Sequence, residues 1–276
     1  MENNFHIKET SLIEADQLRE GYGLLHTFIK DESKNPFGTV KDRRNAYIIQ
    51  EANRLKVDKL VLITSGNNGY SLAQFAKNTP IKTVCIVSRD LSKDIKDILR
   101  QTAYQVIELN LDHKILRPEE LVAFAREQED EVIWEVTNGY EENYVPIVKE
   151  IFEKVVPDYI VVPVGSGGIF IGLMQGLEQR HAKTKIVGVG AQNTIHSFAD
   201  KLSTPWTPYA KAIQNYQKQG HFLYRLSEDE VRDTYRKFKN IVDCEPSSSV
   251  VFAAIKKHGF KPDDKIVFLN SGRAVF

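Results

Sequence analysis

The sequence lacks several features that mark nucleic-acid-binding, membrane and metal-binding proteins. Its 37 Lys and Arg residues equal its 37 Asp and Glu residues, so no long-range field attracts nucleic acid or an anionic membrane. No apolar run approaches the length of a membrane span, and residues 1–6 have neither a basic nor an apolar signal region. The only cysteines, Cys85 and Cys244, lack metal-ligand spacing. We therefore expect a cytoplasmic protein with buried thiols and with no metal site, nucleic-acid partner or membrane partner.

The chain does contain a regular alternation of apolar strands with amphipathic helices. Predicted strands lie at 23–29, 59–64, 83–87, 105–109, 132–137, 159–164, 185–190 and 265–269. Near-continuous apolar strands that alternate with helices are typical of a parallel sheet with both faces covered. The sequence therefore predicts an α/β fold with mainly parallel, twisted sheets and helices on both faces. Residues 191–226 break the alternation, and we expect an irregular segment of functional or mobile character there.

Residues 35–43, Asn-Pro-Phe-Gly-Thr-Val-Lys-Asp-Arg, combine a turn with the start of a helix. A proline and a glycine mark the turn, Thr39 is a suitable N-cap, and Lys41 falls in the first helical turn. The positive end of a helix disfavours an ammonium group. This position therefore suits a lysine that must lose its proton and attack a carbonyl, and a solvated lysine paired with Asp42 is the ordinary alternative.

Three polar turns follow apolar strands, which places them where parallel α/β sheets bind ligands. Residues 64–69 supply two hydroxyls, two carboxamides and two glycines, a donor set that suits a carboxylate, and helix capping is the alternative. Residues 165–168, Gly-Ser-Gly-Gly, can bring backbone N–H groups onto a phosphate, and tight helix packing is the alternative. Ser271 follows the last predicted strand and can make a single hydrogen bond.

Together these motifs resemble those of the fold-type II pyridoxal-phosphate enzymes. This tryptophan synthase β-like group includes cysteine synthase, threonine synthase and threonine dehydratase. In chain order, the segments similar to its lysine motif, asparagine loop, phosphate cup and two C-terminal signatures are residues 35–43, 64–69, 162–168, 245–249 and 270–272. Their order and spacing agree with those of the group, and the joint match is more specific than any one motif.

The resemblance implies a two-lobed fold with pyridoxal 5'-phosphate as cofactor between the lobes. We expect residues 39–146 to form the smaller α/β lobe. Residues 1–38 and 147–276 then form the larger lobe, which carries the phosphate cup.

The resemblance also implies a role for each motif residue. Lys41 would bind the cofactor covalently as an aldimine and then shuttle the substrate's α-proton. Asn67 would bond the phenolic oxygen of the cofactor, and Ser271 would face its pyridine nitrogen. A hydroxyl there leaves the nitrogen largely unprotonated, which favours elimination chemistry. The residues expected to hold the phosphate are Gly165, Ser166, Gly167, Gly168 and Ile169. Those expected to receive the substrate carboxylate are Thr64, Ser65, Asn67 and Asn68.

The chain departs from the group at three positions. Asn68 stands where the group usually has threonine, and Arg44 and Asn45 replace residues that are commonly small or apolar. The lysine motif is nearer to that of cysteine synthase, whereas residues 245–249 are nearer to those of threonine synthase or threonine dehydratase.

We expect a homodimeric lyase or transferase that performs β-elimination or β-replacement on a small L-amino acid. Serine, threonine and an O-activated serine are the expected substrates. A γ-elimination or replacement, as in threonine synthase, is the alternative within the class. A non-catalytic binding or regulatory protein that retains the fold is the alternative from another class.

Overall fold

The computed structural model describes residues 7–112, 114–193, 196–204 and 206–273, and the chain forms two compact units. The first unit consists mainly of Lys41–Tyr140. The second unit combines Lys8–Val40 with residues 141–273. The sequence had suggested divisions at residues 39 and 146.

Strands and helices alternate along almost the whole described chain. In order they are β1 (Leu12–Glu14), α1 (Asp16–Tyr22), β2 (His26–Asp31), α2 (Lys41–Arg54), β3 (Lys59–Ile63), α3 (Asn67–Ala76), β4 (Lys82–Ser88), α4 (Lys93–Thr102), β5 (Gln105–Leu109), α5 (Pro118–Ala125), β6 (Ile133–Glu135), α6 (Val145–Phe152), β7 (Tyr159–Pro163), α7 (Gly168–Gln179), β8 (Lys185–Ala191), α8 (Ala210–Lys218), β9 (Phe222–Leu226), α9 (Glu228–Phe238), α10 (Pro246–Ser249), α11 (Ala254–Lys257) and β10 (Lys265–Asn270). Short 3-10 helices lie at Glu32–Lys34, Glu141–Tyr144, Asp200–Leu202 and Val250–Ala253. None of the helices in these described segments is long and apolar enough to cross a membrane.

A four-stranded, fully parallel sheet forms the centre of the first unit. Its strand order is β5-β4-β3-β6. The apolar runs that predicted β3 and β4 are buried because helices cover them, as expected for a parallel sheet. The carboxyl end of β3 leads directly into the loop before α3.

A six-stranded sheet forms the centre of the second unit, in the order β1-β2-β10-β7-β8-β9. Only β1 runs antiparallel to its neighbour, and β10 lies between β2 and β7. Side chains that alternate along β7 enter two separate cores, because Val161 belongs to one while Ile160 and Val162 belong to the other. Both faces of this sheet are therefore covered, which confirms the predicted fold class.

The helix that carries the motif lysine begins slightly later than an N-cap at Thr39 predicts. α2 starts at Lys41, whereas Thr39 forms an isolated antiparallel bridge with Gly272. Val40 donates its N–H to the carbonyl oxygen of Ser271, 2.8 Å away. The backbone of residues 39–40 is therefore engaged with the C-terminal turn, so the helix starts only after it.

The prediction of an irregular segment over residues 191–226 was wrong for its second half. This half contains α8 and β9, and β9 pairs in parallel with β8. β9 is an edge strand with mostly half-buried residues, so it lacks the apolar run that marks the central strands. α8 likewise buries only Ile213. The short elements α1 and β1 were also missed.

Candidate active site

Lys41 is the first residue of α2, and the polar residues that follow it are buried. Its own side chain is half-buried, whereas Asp42, Arg43, Arg44 and Asn45 are almost inaccessible. The carboxylate of Asp42 accepts a hydrogen bond from the hydroxyl of Ser71 in α3 at 2.5 Å. A run of polar residues at a helix start therefore forms an interior surface rather than a solvated one.

A network of side-chain hydrogen bonds joins the first turn of α2 to the first turns of α3. The Nδ2 atom of Asn45 donates to the Ser71 hydroxyl at 3.0 Å. It also lies 3.1 Å from both the carbonyl oxygen and the side-chain Oδ1 of Asn68. The Nη1 atom of Arg44 donates to the same Oδ1 atom at 3.1 Å. The network fixes the orientation of the Asn68 amide relative to α2.

The loop of residues 64–69 is held in shape by the hydroxyl of Thr64. This hydroxyl accepts the N–H groups of Gly66 at 3.1 Å and Gly69 at 3.0 Å. Gly66 has a φ of 134°, a left-handed backbone that favours glycine, and it is the N-cap of α3 without any side-chain cap. The Thr64 hydroxyl thus supplies a capping hydrogen bond to the first turn of α3. The hydroxyl of Ser65 bonds to no other described residue.

Asn67 and Asn68 are the first two residues of α3, at the positive end of its dipole. Asn67 is buried and Asn68 is half-buried. Because the Oδ1 atom of Asn68 accepts two hydrogen bonds from α2, its Nδ2 atom is the group left for a further partner, and it bonds to none of the described residues.

The glycine turn of the second unit lies between β7 and α7. Gly167 is the N-cap of α7 with a φ of 102°, again a left-handed backbone, and α7 has no side-chain cap. The first N–H groups of a helix have no partner within it. In the described part of the chain, none of the N–H groups of Gly165–Ile169 donates a hydrogen bond. These N–H groups are suited to an anion.

The segment that follows β8 packs over this glycine turn. A Cβ atom on Gly165 would lie 3.1 Å from the Leu202 Cα, and one on Gly167 would lie 2.7 Å from the Ile213 Cδ1. The Thr207 hydroxyl donates to the carbonyl oxygen of Ser166. Close packing therefore also requires glycine here, so packing and anion binding are compatible explanations. Leu202, Thr207 and Ile213 lie in the segment 191–226, which was expected to be functional or mobile, but the sequence did not predict this contact.

Ser271 lies directly after β10 and is held by its backbone. Its N–H donates to the Ser248 hydroxyl at 2.8 Å, and its carbonyl oxygen accepts the N–H of Val40. Ser248 also donates to Asn270 at 2.7 Å, so the segment similar to a C-terminal signature fixes this turn. The Ser271 hydroxyl bonds to no other described residue. Since β10 and β7 are parallel neighbours, Ser271 and the glycine turn lie at the same edge of the sheet.

Both cysteines are buried, and they do not form a disulfide. Burial raises the pKa of the Cys85 thiol to about 12, and burial together with nearby carboxylates raises that of Cys244 to about 12. Neither thiol is therefore available as a thiolate nucleophile at neutral pH.

Comparison with solved structures finds the same fold in several enzymes. A serine racemase from Dictyostelium discoideum has a TM-score of 0.79 at 21% identity, with 98% of this chain and 94% of the racemase covered. An O-acetylserine dependent cystathionine beta-synthase from Helicobacter pylori has a TM-score of 0.78 at 20% identity, with 97% and 94% covered. The processed form of threonine deaminase isoform 2 from Solanum lycopersicum has a TM-score of 0.77 at 17% identity, with 97% and 84% covered. At these identities the likeness shows the fold.

A sequence model described as pyridoxal-phosphate dependent enzyme matches residues 4–272. The match spans the lysine motif, both polar turns and the C-terminal signatures. It confirms the predicted cofactor and the prediction of an enzyme rather than a non-catalytic protein. The chain belongs to the family of pyridoxal-phosphate dependent enzymes.

Proposed function

We propose that the protein performs β-elimination or β-replacement on a small L-amino acid that carries a hydroxyl or an activated oxygen on its β-carbon. The names of similar structures support this substrate class. They include an L-serine ammonia-lyase from Rhizomucor miehei, the O-acetylserine dependent synthase and the threonine deaminase. All three names contain serine, acetylserine or threonine.

The residues present fit pyridoxal phosphate. The unused N–H groups of Gly165–Ile169 at the start of α7 are suited to its phosphate. Asn67 offers a carboxamide for the phenolic oxygen, and Lys41 offers the amine for a covalent link.

The observation that carries the reaction type is the Ser271 hydroxyl. It is positioned by two backbone hydrogen bonds, and its oxygen has no partner in the described residues. A neutral hydroxyl is a suitable partner for an unprotonated ring nitrogen, whereas a carboxylate would hold a proton there. An unprotonated ring favours rapid loss of a β-leaving group once the α-proton is removed.

Each remaining residue has a role that its contacts support. The bound cofactor supplies an electron sink for the pair released at the α-carbon. Lys41 removes the α-proton as general base. Ser65, Asn67 and Asn68 donate hydrogen bonds to the substrate carboxylate at the start of α3, where the helix dipole adds to them. Thr64, whose hydroxyl is used within the loop, acts by shaping it.

A cofactor spectrum followed by a substrate panel tests the proposal. Borohydride reduction is expected to fix the cofactor on Lys41, as mapped by peptide mass spectrometry. L-Serine, L-threonine and O-acetyl-L-serine are then assayed with and without a thiol, for 2-oxo acid plus ammonia or for a new amino acid. Lys41→Ala should lower turnover by about 10²- to 10⁴-fold, the usual contribution of a general base. Turnover only of amino acids with a γ-leaving group would favour the threonine synthase-like alternative instead.

A pair of Ser271 variants tests the reaction type separately. Ser271→Ala is expected to lower turnover by about 2- to 10-fold, the value of one neutral hydrogen bond. Ser271→Asp should lower it far more, because the carboxylate would protonate the ring nitrogen. Equal activity of the two variants would contradict the assignment of Ser271 to the ring.

A further inference from the structure

Arg44 carries a buried positive charge next to the loop of residues 64–69. Arg44 lies in the first turn of α2 and is only 3% exposed. Its Nη2 atom donates to the carbonyl oxygens of Val136 at 2.8 Å and Asn138 at 3.4 Å. Its Nη1 atom donates to the Oδ1 atom of Asn68. The guanidinium thus connects α2, the start of α3 and the segment after β6.

Every hydrogen-bond acceptor around this cation is neutral. Among the described residues, no carboxylate lies within 4.0 Å of the guanidinium, and its buried Nε atom has no hydrogen-bond partner. Two lysines that are fully buried among the described residues differ in this respect. Lys30 lies 2.5 Å from Glu150, and Lys59 lies 2.8 Å from Glu131. Arg44 is therefore a buried cation without the carboxylate that these lysines have.

Such a position is unfavourable unless an anion binds nearby. Burial of a charge is costly without a paired charge, and the start of a helix disfavours a cation. The ring of Tyr140, whose centroid is 5.8 Å from the guanidinium carbon, compensates only in part. A bound anion would supply the missing negative charge.

The hydrogen bonds of Asn68 indicate where that anion binds. Its Oδ1 atom is held by Arg44 and Asn45, so the amide cannot turn its oxygen toward a ligand. Its Nδ2 atom, which bonds to none of the described residues, is presented as a donor. A donor polarised by a guanidinium suits a carboxylate oxygen.

We propose that Arg44 is a positioning residue of the substrate-carboxylate site, where it fixes Asn68 as a donor and supplies the positive charge. The proposal rests on the proposed function for the identity of the ligand, an amino-acid carboxylate. Arg44 acts through Asn68 and through its field. Arg44 thereby places a positive charge beside residues 64–69, which contain no cationic side chain.

The test compares Arg44→Met with a matched control on the same helix. Arg54→Met removes an exposed arginine that pairs with Glu51 at 2.6 Å, away from the loop. L-Serine and L-serine methyl ester are titrated against the cofactor-loaded enzyme, with the cofactor absorption as readout. Arg44→Met is expected to weaken L-serine binding by about 10- to 100-fold, as for loss of a charge-assisted hydrogen bond, and to leave methyl ester binding within about twofold. Arg54→Met should change neither.

A second readout does not depend on any reaction. Sodium acetate should raise the Tm of the wild-type protein more than sodium chloride at equal ionic strength, and this difference should vanish in Arg44→Met. An acetate effect without turnover of any amino acid would leave the Arg44 proposal standing and overturn the proposed function. Normal turnover with an unchanged ratio of serine to ester binding in Arg44→Met would overturn the Arg44 proposal alone.

A third variant keeps the test decisive if Arg44→Met folds poorly. Asn68→Asp places a carboxylate against Arg44, so it should raise the Tm through the new ion pair. It should also weaken L-serine binding at least tenfold while the methyl ester still binds. A lowered Tm together with unchanged serine binding would show that Arg44 has no missing counter-charge and would overturn the proposal.

Discussion

Two strand-to-helix turns of this protein, residues 64–69 and 165–169, are candidate anion sites that use different kinds of hydrogen-bond donor. The loop of residues 64–69 uses side chains: the Thr64 hydroxyl accepts backbone N–H groups of the loop, and the Asn68 amide is bonded to α2. The turn of residues 165–169 uses backbone N–H groups and glycines, covered by the segment after β8. Backbone donors suit any anion of the right size, whereas a side-chain network can select one ligand. We therefore propose that selection of the substrate depends on the side chains of residues 64–69 in the first unit.

Substitution of a glycine in each turn should give the largest difference in stability between the two turns. A Cβ atom on Gly69 would lie 2.7 Å from the Thr64 Cγ2 and 2.8 Å from the Cys85 Sγ, whereas one on Gly168 has its nearest neighbour at 3.8 Å. Gly69→Ala should therefore destabilise the protein by about 3 kcal/mol, at the upper range for overpacking. Gly168→Ala should leave the cofactor-free protein nearly unchanged. Urea unfolding curves measure the free energy of unfolding of both variants. Equal losses of this free energy would contradict the difference in packing.

Removal of the Thr64 hydroxyl should have the next largest effect. Thr64→Val keeps the shape but leaves the N–H groups of Gly66 and Gly69 without their acceptor, at a cost of about 1–2 kcal/mol. Thr64→Ser retains the oxygen and serves as the matched control. If both variants unfold at the same urea concentration, the methyl group rather than the hydroxyl shapes the loop.

The smallest expected effect is a different pH response in each unit. In the first unit, the hydrogen bond from Lys59, with help from backbone N–H groups, lowers the pKa of Glu131 from 4.5 to about 2. Its contribution to stability is present above pH 4.5 and is lost as the pH falls toward 2. In the second unit, burial and then the nearby Lys185 cation lower the pKa of His221 from 6.5 to about 4. The contribution of His221 to the free energy of unfolding is therefore largest above pH 6.5 and declines as the pH falls toward 4.

Thermal unfolding as a function of pH separates these two groups. Glu131→Gln should flatten the curve between pH 4.5 and 2. His221→Asn should flatten it between pH 6.5 and 4, because an amide oxygen can replace the Nδ1 atom that accepts the Ile186 N–H. A decline that persists unchanged in both variants would show that other groups control acid stability.

The fold was predictable where burial leaves a pattern in the sequence. β3, β4 and β7 are buried on both faces, so they appear as apolar runs. β9 has a partner on one side only and keeps its residues half-exposed, so no comparable run marks it. The same reason explains why β1, a three-residue edge strand, went unnoticed.

The candidate site was predictable as a set of motifs and not as a set of contacts. The sequence singled out Arg44 and Asn45 only as departures from the group, and Asn68 both as a departure and as an expected ligand of the substrate carboxylate. Their hydrogen bonds depend on how α2 packs beside α3, which sequence spacing does not determine. In the same way, nothing in the sequence indicated that the Thr64 hydroxyl is used within its own loop or that Thr207 contacts the glycine turn.

The bond between Val40 and Ser271 has a consequence for protein synthesis. The residue before Lys41 is anchored to a turn that follows β10, and β10 is also the strand that joins β2 to β7. At about 5–20 residues per second, a ribosome needs on the order of tens of seconds to make the intervening chain. Until β10 is made, the edge of β2, and later also that of β7, lacks its partner strand and is open to wrong partners. The contact that holds the residue before Lys41 can therefore form only after β10 and the turn that follows it have been made.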